Sequence, residues 1–261
     1  SSFLHGVDTV RLQYGPGPIN EVKSAVIGLV GSSAQGEPGV MRVIRSRDDA
    51  LEVFSTVGSL PTAFDAIFDH TNVTVLAISA GANPSTGDVT GHIPTFQNAF
   101  AEFGFFPKIL IAPGFAQDKG VAAELIRTAA QCRGVAVVDC PEGLSPEQAV
   151  THKQTFGDAN ALVCYPKVKI TDKDGNEVLD WLSGRLAGLM AKTDQQRGFH
   201  VSASNKVLSG IVGAERVLSY IPNSKDTELN YVNSMGLVSI LNFGGSGFRA
   251  FGNRTAAFPF E

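Results

Sequence analysis

Between residues 24 and 190, short apolar runs alternate with stretches whose apolar residues recur every three or four positions. That is the pattern of strands feeding helices across a mostly parallel sheet. The runs Ala25–Val30, Val73–Ser79, Lys108–Ala112, Val135–Asp139 and Ala161–Tyr165 are the predicted strands. Helices are expected between them. Ser46-Arg-Asp-Asp reads as a capping box, followed by Leu51, Phe54 and Val57 on one face, and a second helix carries Pro61 in its first turn with Phe64, Ile67 and Phe68 beyond it. Further stripes are Phe96, Ala99, Phe100 and Phe103, then Val121, Leu125, Ile126 and Ala129. Ser145-Pro-Glu-Gln148 opens another helix with a cap and a first-turn proline, and Trp181, Leu182, Leu186, Leu189 and Met190 form one more.

Two segments predict hairpins. Val168–Val178 contains Asp174-Gly175, which supplies the positive φ of a tight turn, and Leu237–Phe243 and Phe248–Thr255 flank Gly244-Gly-Ser-Gly247 as a closing strand pair. The fold class is therefore α/β, a mostly parallel sheet flanked by helices. Residues 19–261 form this core. Ahead of it, Val7, Thr9, Arg11 and Gln13 alternate with Val10, Leu12 and Tyr14, until Gly15-Pro16-Gly17-Pro18 interrupts the chain. A strand separated from its domain by such a linker cannot reach the first core strand through a tight turn. Two readings stay open, a frayed terminus or an extended arm that adds to another molecule's sheet by main-chain hydrogen bonds.

Composition narrows the chemistry. With 261 residues, 43% hydrophobic, the chain can bury one good core or a core with a small appendage. Twenty-one basic against 25 acidic residues give a formal charge of −4, with no Lys/Arg-rich run, so a nucleic acid is not an expected partner. Cys132, Cys140 and Cys164 lie far apart in apolar surroundings and read as buried, reduced thiols of a protein made in a cytoplasm. Close ligand pairs such as CxxC or HxxxH are missing, so no metal is expected. The longest apolar runs fall well short of the ~20 residues that a bilayer helix needs, and the first residues do not read as a signal peptide.

The search for catalytic or cofactor motifs yields one position. Gly28-Leu-Val-Gly31 followed by Ser-Ser-Ala-Gln-Gly36 fits neither phosphate-binding fingerprint, and Gly244-Gly-Ser-Gly247 leads into a strand pattern, not a helix. No GxSxG elbow occurs, and His5, His70, His92, His152 and His200 are scattered. His200, ahead of Ser202-Ala-Ser204, reads as a loop histidine. Asp48 and Asp49 suit a helix N-terminus. Asp139, at the carboxyl end of a predicted strand, occupies the place where open α/β sheets put active sites. A hydrolase or nucleotide-binding enzyme would be centred there.

Several segments, in order along the chain, resemble the contractile tail-sheath proteins of R-type pyocins and related myophages. They are Ser2-Phe-Leu-His-Gly-Val7, Ser24-Ala-Val-Ile-Gly-Leu29 and Ile111-Ala-Pro-Gly114; Leu186-Ala-Gly-Leu-Met-Ala191 with Thr193-Asp194; Ser202-Ala-Ser-Asn-Lys206; and Gly247-Phe-Arg-Ala-Phe-Gly-Asn-Arg-Thr255. Phe248 and Phe251 stand where the family often has Tyr and Trp. The resemblance implies a non-catalytic core of subtilisin-like topology without cofactor. It implies a structural subunit that polymerises with copies of itself around an inner tail tube, between baseplate and tail terminator, in a phage tail or bacteriocin particle assembled in the bacterial host. Contraction would drive the tube through an envelope. Residues 1–18 would be the inter-subunit arm, with Val10, Arg11, Leu12 and Tyr14 in its strand and Gly15–Pro18 as tether. Family members usually continue past the Gly-Asn-Arg-Thr strand into a tube-gripping domain, whereas this chain ends at Phe258-Pro-Phe-Glu261, so a fragment or a trimmed member is expected.

Overall fold

The computed structural model describes residues 25–224 and 226–259. Along the chain it runs β1 (Ile27–Gly31), β2 (Met41–Ile44), α1 (Arg47–Val53), α2 (Ser59–Phe68), β3 (Val75–Ser79) and α3 (Thr86–His92). A 3₁₀ turn over Ile93–Asn98 leads into α4 (Ala99–Phe103), β4 (Ile109–Ile111), α5 (Lys119–Gln131), β5 (Val135–Asp139), α6 (Pro146–Gln154) and β6 (Ala161–Cys164). Then come β7 (Val168–Thr171), β8 (Glu177–Asp180), α7 (Leu182–Arg197), β9 (Gly213–Ala214), α8 (Glu228–Ser234), β10 (Leu237–Asn242) and β11 (Phe248–Phe251).

An eight-stranded sheet in the order β11-β10-β6-β5-β4-β1-β3-β2 forms the middle layer. Its inner strands pair in parallel, and the two edge strands are antiparallel. Both faces are covered, which explains why the inner strands read as unbroken apolar runs. Alternation sorts the side chains between two cores: Leu76 and Ile78 of β3 face the 3₁₀ turn and α5, while Val75 and Ala77 face α2 and α7. β7, β8 and β9 form a separate small sheet, with Gly175 at φ 85° in the β7–β8 turn.

The predicted strands are all present, most with slightly shifted ends. Two of the expected helical faces need correction. α1 stops at Val53, so of the Leu51, Phe54 and Val57 face only Phe54 is buried. Ser46 accepts the Asp49 N–H, but the Asp49 carboxylate turns to the Arg45 N–H, so the expected box is closed on one side only. The Phe96–Phe103 stripe is split between the 3₁₀ turn and α4, leaving Phe100 exposed. Its fault is a change of period: a turn with three residues per repeat rotates the later positions off the face that a 3.6 repeat would keep. Trp181 is the residue ahead of α7, not part of it. β2, α3 and α8 went unpredicted; each is short, and β2 is an edge strand of only Met-Arg-Val-Ile.

Candidate assembly surfaces and the two rims of the sheet

At the carboxyl ends of the parallel strands, where an enzyme would open a crevice, polar side chains hold the fold together. Asp139, the last residue of β5, is 2% exposed. The residue ahead of α7, Trp181, makes no side-chain cap, and Asp139 supplies one from across the chain: Ser183 N–H donates to Oδ1 at 3.0 Å and Ser183 Oγ to Oδ2 at 2.5 Å. Burial pushes the Asp139 carboxyl up to about 7, against the pull of the two Ser183 hydrogen bonds. A perturbed carboxyl at a strand end is the signature of a candidate acid or base. Here both oxygens are occupied by the helix start.

The neighbouring strand ends are filled in the same way. Ser32 N–H donates to Ser59 Oγ at 3.0 Å and Ser59 N–H donates to Ser32 Oγ at 2.9 Å, locking the end of β1 to the start of α2. A Cβ on Gly31 would lie 2.5 Å from Ser59 Oγ, so only glycine lets the two approach. Gly114, beyond β4, faces the Trp181 indole, and Lys167 Nζ sits 4.3 Å from the centre of that ring while pairing with Glu142 at 2.9 Å. Below them Arg185, buried in α7, reaches Asp69 at 3.0 Å, the Ser209 carbonyl at 2.7 Å and Asp180 at 3.6 Å. Cys132, Cys140 and Cys164 are buried and unpaired, and burial pushes each thiol up, which makes them poor nucleophiles. Among the described residues no cluster of His, Cys, Asp or Glu could hold a metal, and no helix is long and apolar enough to cross a membrane.

The opposite, amino rim is hollow. A groove of about 800 Å³ runs past Ile109, Val135, Leu162 and Val238 at the starts of four strands, with Leu186 and Met190 of α7 as its other wall and residues 199–204 closing the side. Asp194, half-buried at the α7 end, has its carboxyl pushed up to about 6 by burial, partly offset by Lys206. Sequence reasoning missed this groove; its one signal is apolar Val135 and Leu162 in strands whose other residues are buried more deeply.

Next to the groove the structure brings together two of the family-like segments. Residues 205–208 run along the outer edge of β11: Asn205 N–H donates to the Ala250 carbonyl at 2.7 Å, Ala250 N–H to Lys206 at 3.0 Å and Leu208 N–H to Phe248 at 2.8 Å. Asn205 adopts φ 61°, a left-handed geometry that Asn tolerates, and its carbonyl accepts from Arg249. Ser204 Oγ accepts the Gly252 N–H at 3.2 Å. The strap therefore covers an edge that would otherwise be an open pairing template. The candidate arm residues Val10, Arg11, Leu12 and Tyr14, and the linker Gly15, Pro16, Gly17 and Pro18, lie outside the described residues.

Comparison with known proteins agrees with these features. The model of the phage tail sheath protein central domain matches residues 86–256. The tail sheath protein of Burkholderia phage BcepMu is 27% identical over 99% of this chain and 76% of its own length. A putative prophage major tail sheath protein of Pseudomonas aeruginosa is 28% identical over 97% of this chain and 70% of its own. In fold, the helical sheath of the anti-feeding prophage in its contracted state superposes with a TM-score of 0.66 at 22% identity, over 97% of this chain and 69% of that one. A chain matched by this family model over residues 86–256, with sheath proteins among its relatives along nearly its whole length, belongs to the phage tail sheath protein family as a structural subunit of a contractile sheath.

Proposed function

We propose that this subunit polymerises with copies of itself into a helical or ring-stacked sheath around an inner tail tube, and that contraction drives the tube through a bacterial envelope. Residues 1–18 act as the inter-subunit arm: Val10, Arg11, Leu12 and Tyr14 add a strand to a neighbour's sheet, and Gly15–Pro18 is the tether. Residues 19–261 form the core that moves as a rigid body. Repeating one heterologous contact generates rings or a helix without limit, which suits a tube. The stroke is a change between two packings of unchanged subunits, the extended one trapped kinetically and the contracted one burying more surface. Apolar burial contributes roughly 25 cal/mol per Å² before association costs, so a modest gain per subunit, multiplied along the tube, supplies the work. Baseplate and tail terminator are the partners at the two ends, the particle tail is the location, and no catalytic step or cofactor is assigned.

The observation that carries this reading is the family match over residues 86–256, in a fold whose Asp139 is committed to capping α7. Deleting residues 1–14 tests it: the variant is expected to keep its far-ultraviolet circular dichroism and unfolding transition while negative-stain electron microscopy shows no tubes or rings at concentrations where the parent assembles. Intact tubes from the deletion would sink the arm.

A further inference from the structure

The apolar groove at the amino rim has a counterpart at the other end of the same sheet. Phe243 is the first residue beyond the carboxyl end of β10, and the Tyr220 ring meets it edge-on at 6.0 Å. The loop that carries Tyr220 is tied to the start of α8: Ser219 N–H donates to Glu228 Oε2 at 3.0 Å, and Glu228 N–H donates to Ser219 Oγ at 3.1 Å. From this loop Leu218 turns into the core, whereas Val217 is 85% exposed, Ile221 61% and Phe243 47%. Three apolar side chains thus form a ridge on a fixed backbone. Left to water they cost roughly 25 cal/mol for every Å² exposed, and patches of this kind mark contact surfaces.

The two ends also differ in charge. Lys108 and Arg133 line the groove, and Arg197 and Lys206 lie near Asp194 at its α7 end. Counting Asp158, whose carboxylate accepts the Asn160 N–H at the groove wall, four cations stand against two carboxylates. Around the ridge the balance is reversed. Arg216 pairs with Glu228 at 3.0 Å, and Glu147 and Glu215 lie close to the same guanidinium, so three carboxylates stand against one cation. Opposite fields of this kind fix the orientation of a contact and exclude wrong partners.

We propose that the ridge of Val217, Ile221 and Phe243 on one copy seats in the amino-rim groove of a second copy, its acidic surround meeting the basic mouth of the groove. This names the contact surfaces of the self-assembly proposed above and rests on that reading. The partner is a second copy because one chain carries both halves of the contact, matched in apolarity and opposite in charge. The halves lie at opposite ends of the same strands, so two molecules cannot satisfy both and the contact repeats head to tail. Stable contacts bury on the order of 1,000 Å² or more, so ridge and groove form the apolar centre and the charged rims supply the remainder.

The test places the photo-crosslinking residue p-benzoylphenylalanine at position 217 or 221 of the full chain, where the native side chains are exposed. Assemblies made from an equal mixture of isotopically labelled and unlabelled protein are irradiated, and the links are mapped by mass spectrometry. Links between chains to Met190 and to the 199–204 peptide are expected. Links that form within one chain, that join position 217 or 221 to the same loop of a neighbour, or that fall on any other surface overturn the proposal. A second readout uses Val217→Asp and Phe199→Asp, one on each half. Each should raise the concentration threshold for sedimenting assemblies about tenfold, as burying one charge in an apolar contact requires, with the thermal transition of the monomer unchanged. An unchanged threshold in either variant also overturns it. A parent that forms no assemblies sinks the sheath reading and this contact with it, whereas tubes whose links fall elsewhere remove this contact alone.

Discussion

At the carboxyl rim of the central sheet the strand ends run into polar side chains that belong to the fold itself, whereas at the amino rim they border an apolar hollow. Asp139 and Ser183 satisfy each other there, as do Ser32 and Ser59. Ile109, Leu162, Val238 and Met190 line space instead. An open α/β enzyme reverses this arrangement, closing its amino rim for stability and opening the carboxyl rim for chemistry. In this sheath-family chain the carboxyl rim is given to helix anchoring, and accessible apolar surface lies at the other end of the same strands. α7 joins the two rims, pinned by Ser183 at one and reaching the groove through Asp194 at the other.

The largest expected effect comes from breaking α7 between those ends. A Cβ on Gly188 would lie 2.8 Å from the Ile67 carbonyl oxygen and 2.9 Å from Ile67 Cα, both backbone atoms of α2 that cannot turn aside. Gly188→Val should lower stability by about 3 kcal/mol through overpacking, read as a fall in the urea midpoint at unchanged slope. A midpoint within experimental error of the parent would mean that α7 is not held rigidly, and the contrast between the rims would lose its physical link.

A smaller effect, with a definite sign, isolates the carboxyl rim. The Asp139 carboxyl titrates near 7 in the folded protein and near 3.8 when unfolded, so the native state binds the proton more tightly. The folded pKa being raised, the native state binds more protons than the unfolded one from about pH 4 to 7, and stability drains away as pH rises through that window. At most this amounts to roughly 4 kcal/mol above pH 8. Asp139→Asn keeps an acceptor for the Ser183 N–H and removes the ionisation, so its stability relative to the parent should improve between pH 5 and pH 8. The parent's own slope is a poor gauge. Burial holds His70 down at about 4, which adds stability as pH rises, and Asp194 near 6 works in the same direction as Asp139. The difference between variant and parent cancels both. A difference that does not change with pH would show that Asp139 is not buried as an anchor.

The sequence made the inner layer legible and left the rims obscure. Strands buried on both faces advertise themselves, as Val135–Asp139 does without a residue of error, because every position is apolar until the terminal aspartate. Ser145-Pro-Glu-Gln148 was equally readable, since a capping box is a local hydrogen-bond pattern and both of its bonds form. Asp139 was singled out for its location, and its actual partner, Ser183, lies 44 residues away, beyond any local rule. The groove left still less trace, since it arises from where α7 ends relative to β6 and β10, and from the return of residues 199–208 beside β11. The family-like segments Ser202–Lys206 and Gly247–Thr255 could be recognised separately, but not that one straps the other.

That strap supplies the mildest test of the contrast. Ser204 Oγ accepts the Gly252 N–H at the margin of the groove, in a partly buried position. Ser204→Ala should cost about 0.5–1 kcal/mol, the usual net value of one such bond. The more telling readout is local. If the amino rim is the adaptable end, amide exchange should accelerate at Gly252 and along residues 204–208, while the Ser183 amide, held by Asp139 at the other end of α7, keeps the parent's protection. Faster exchange at Ser183 as well would mean that the two rims open together, and the core would then be one uniformly cooperative unit instead of an anchored end and an adjustable one.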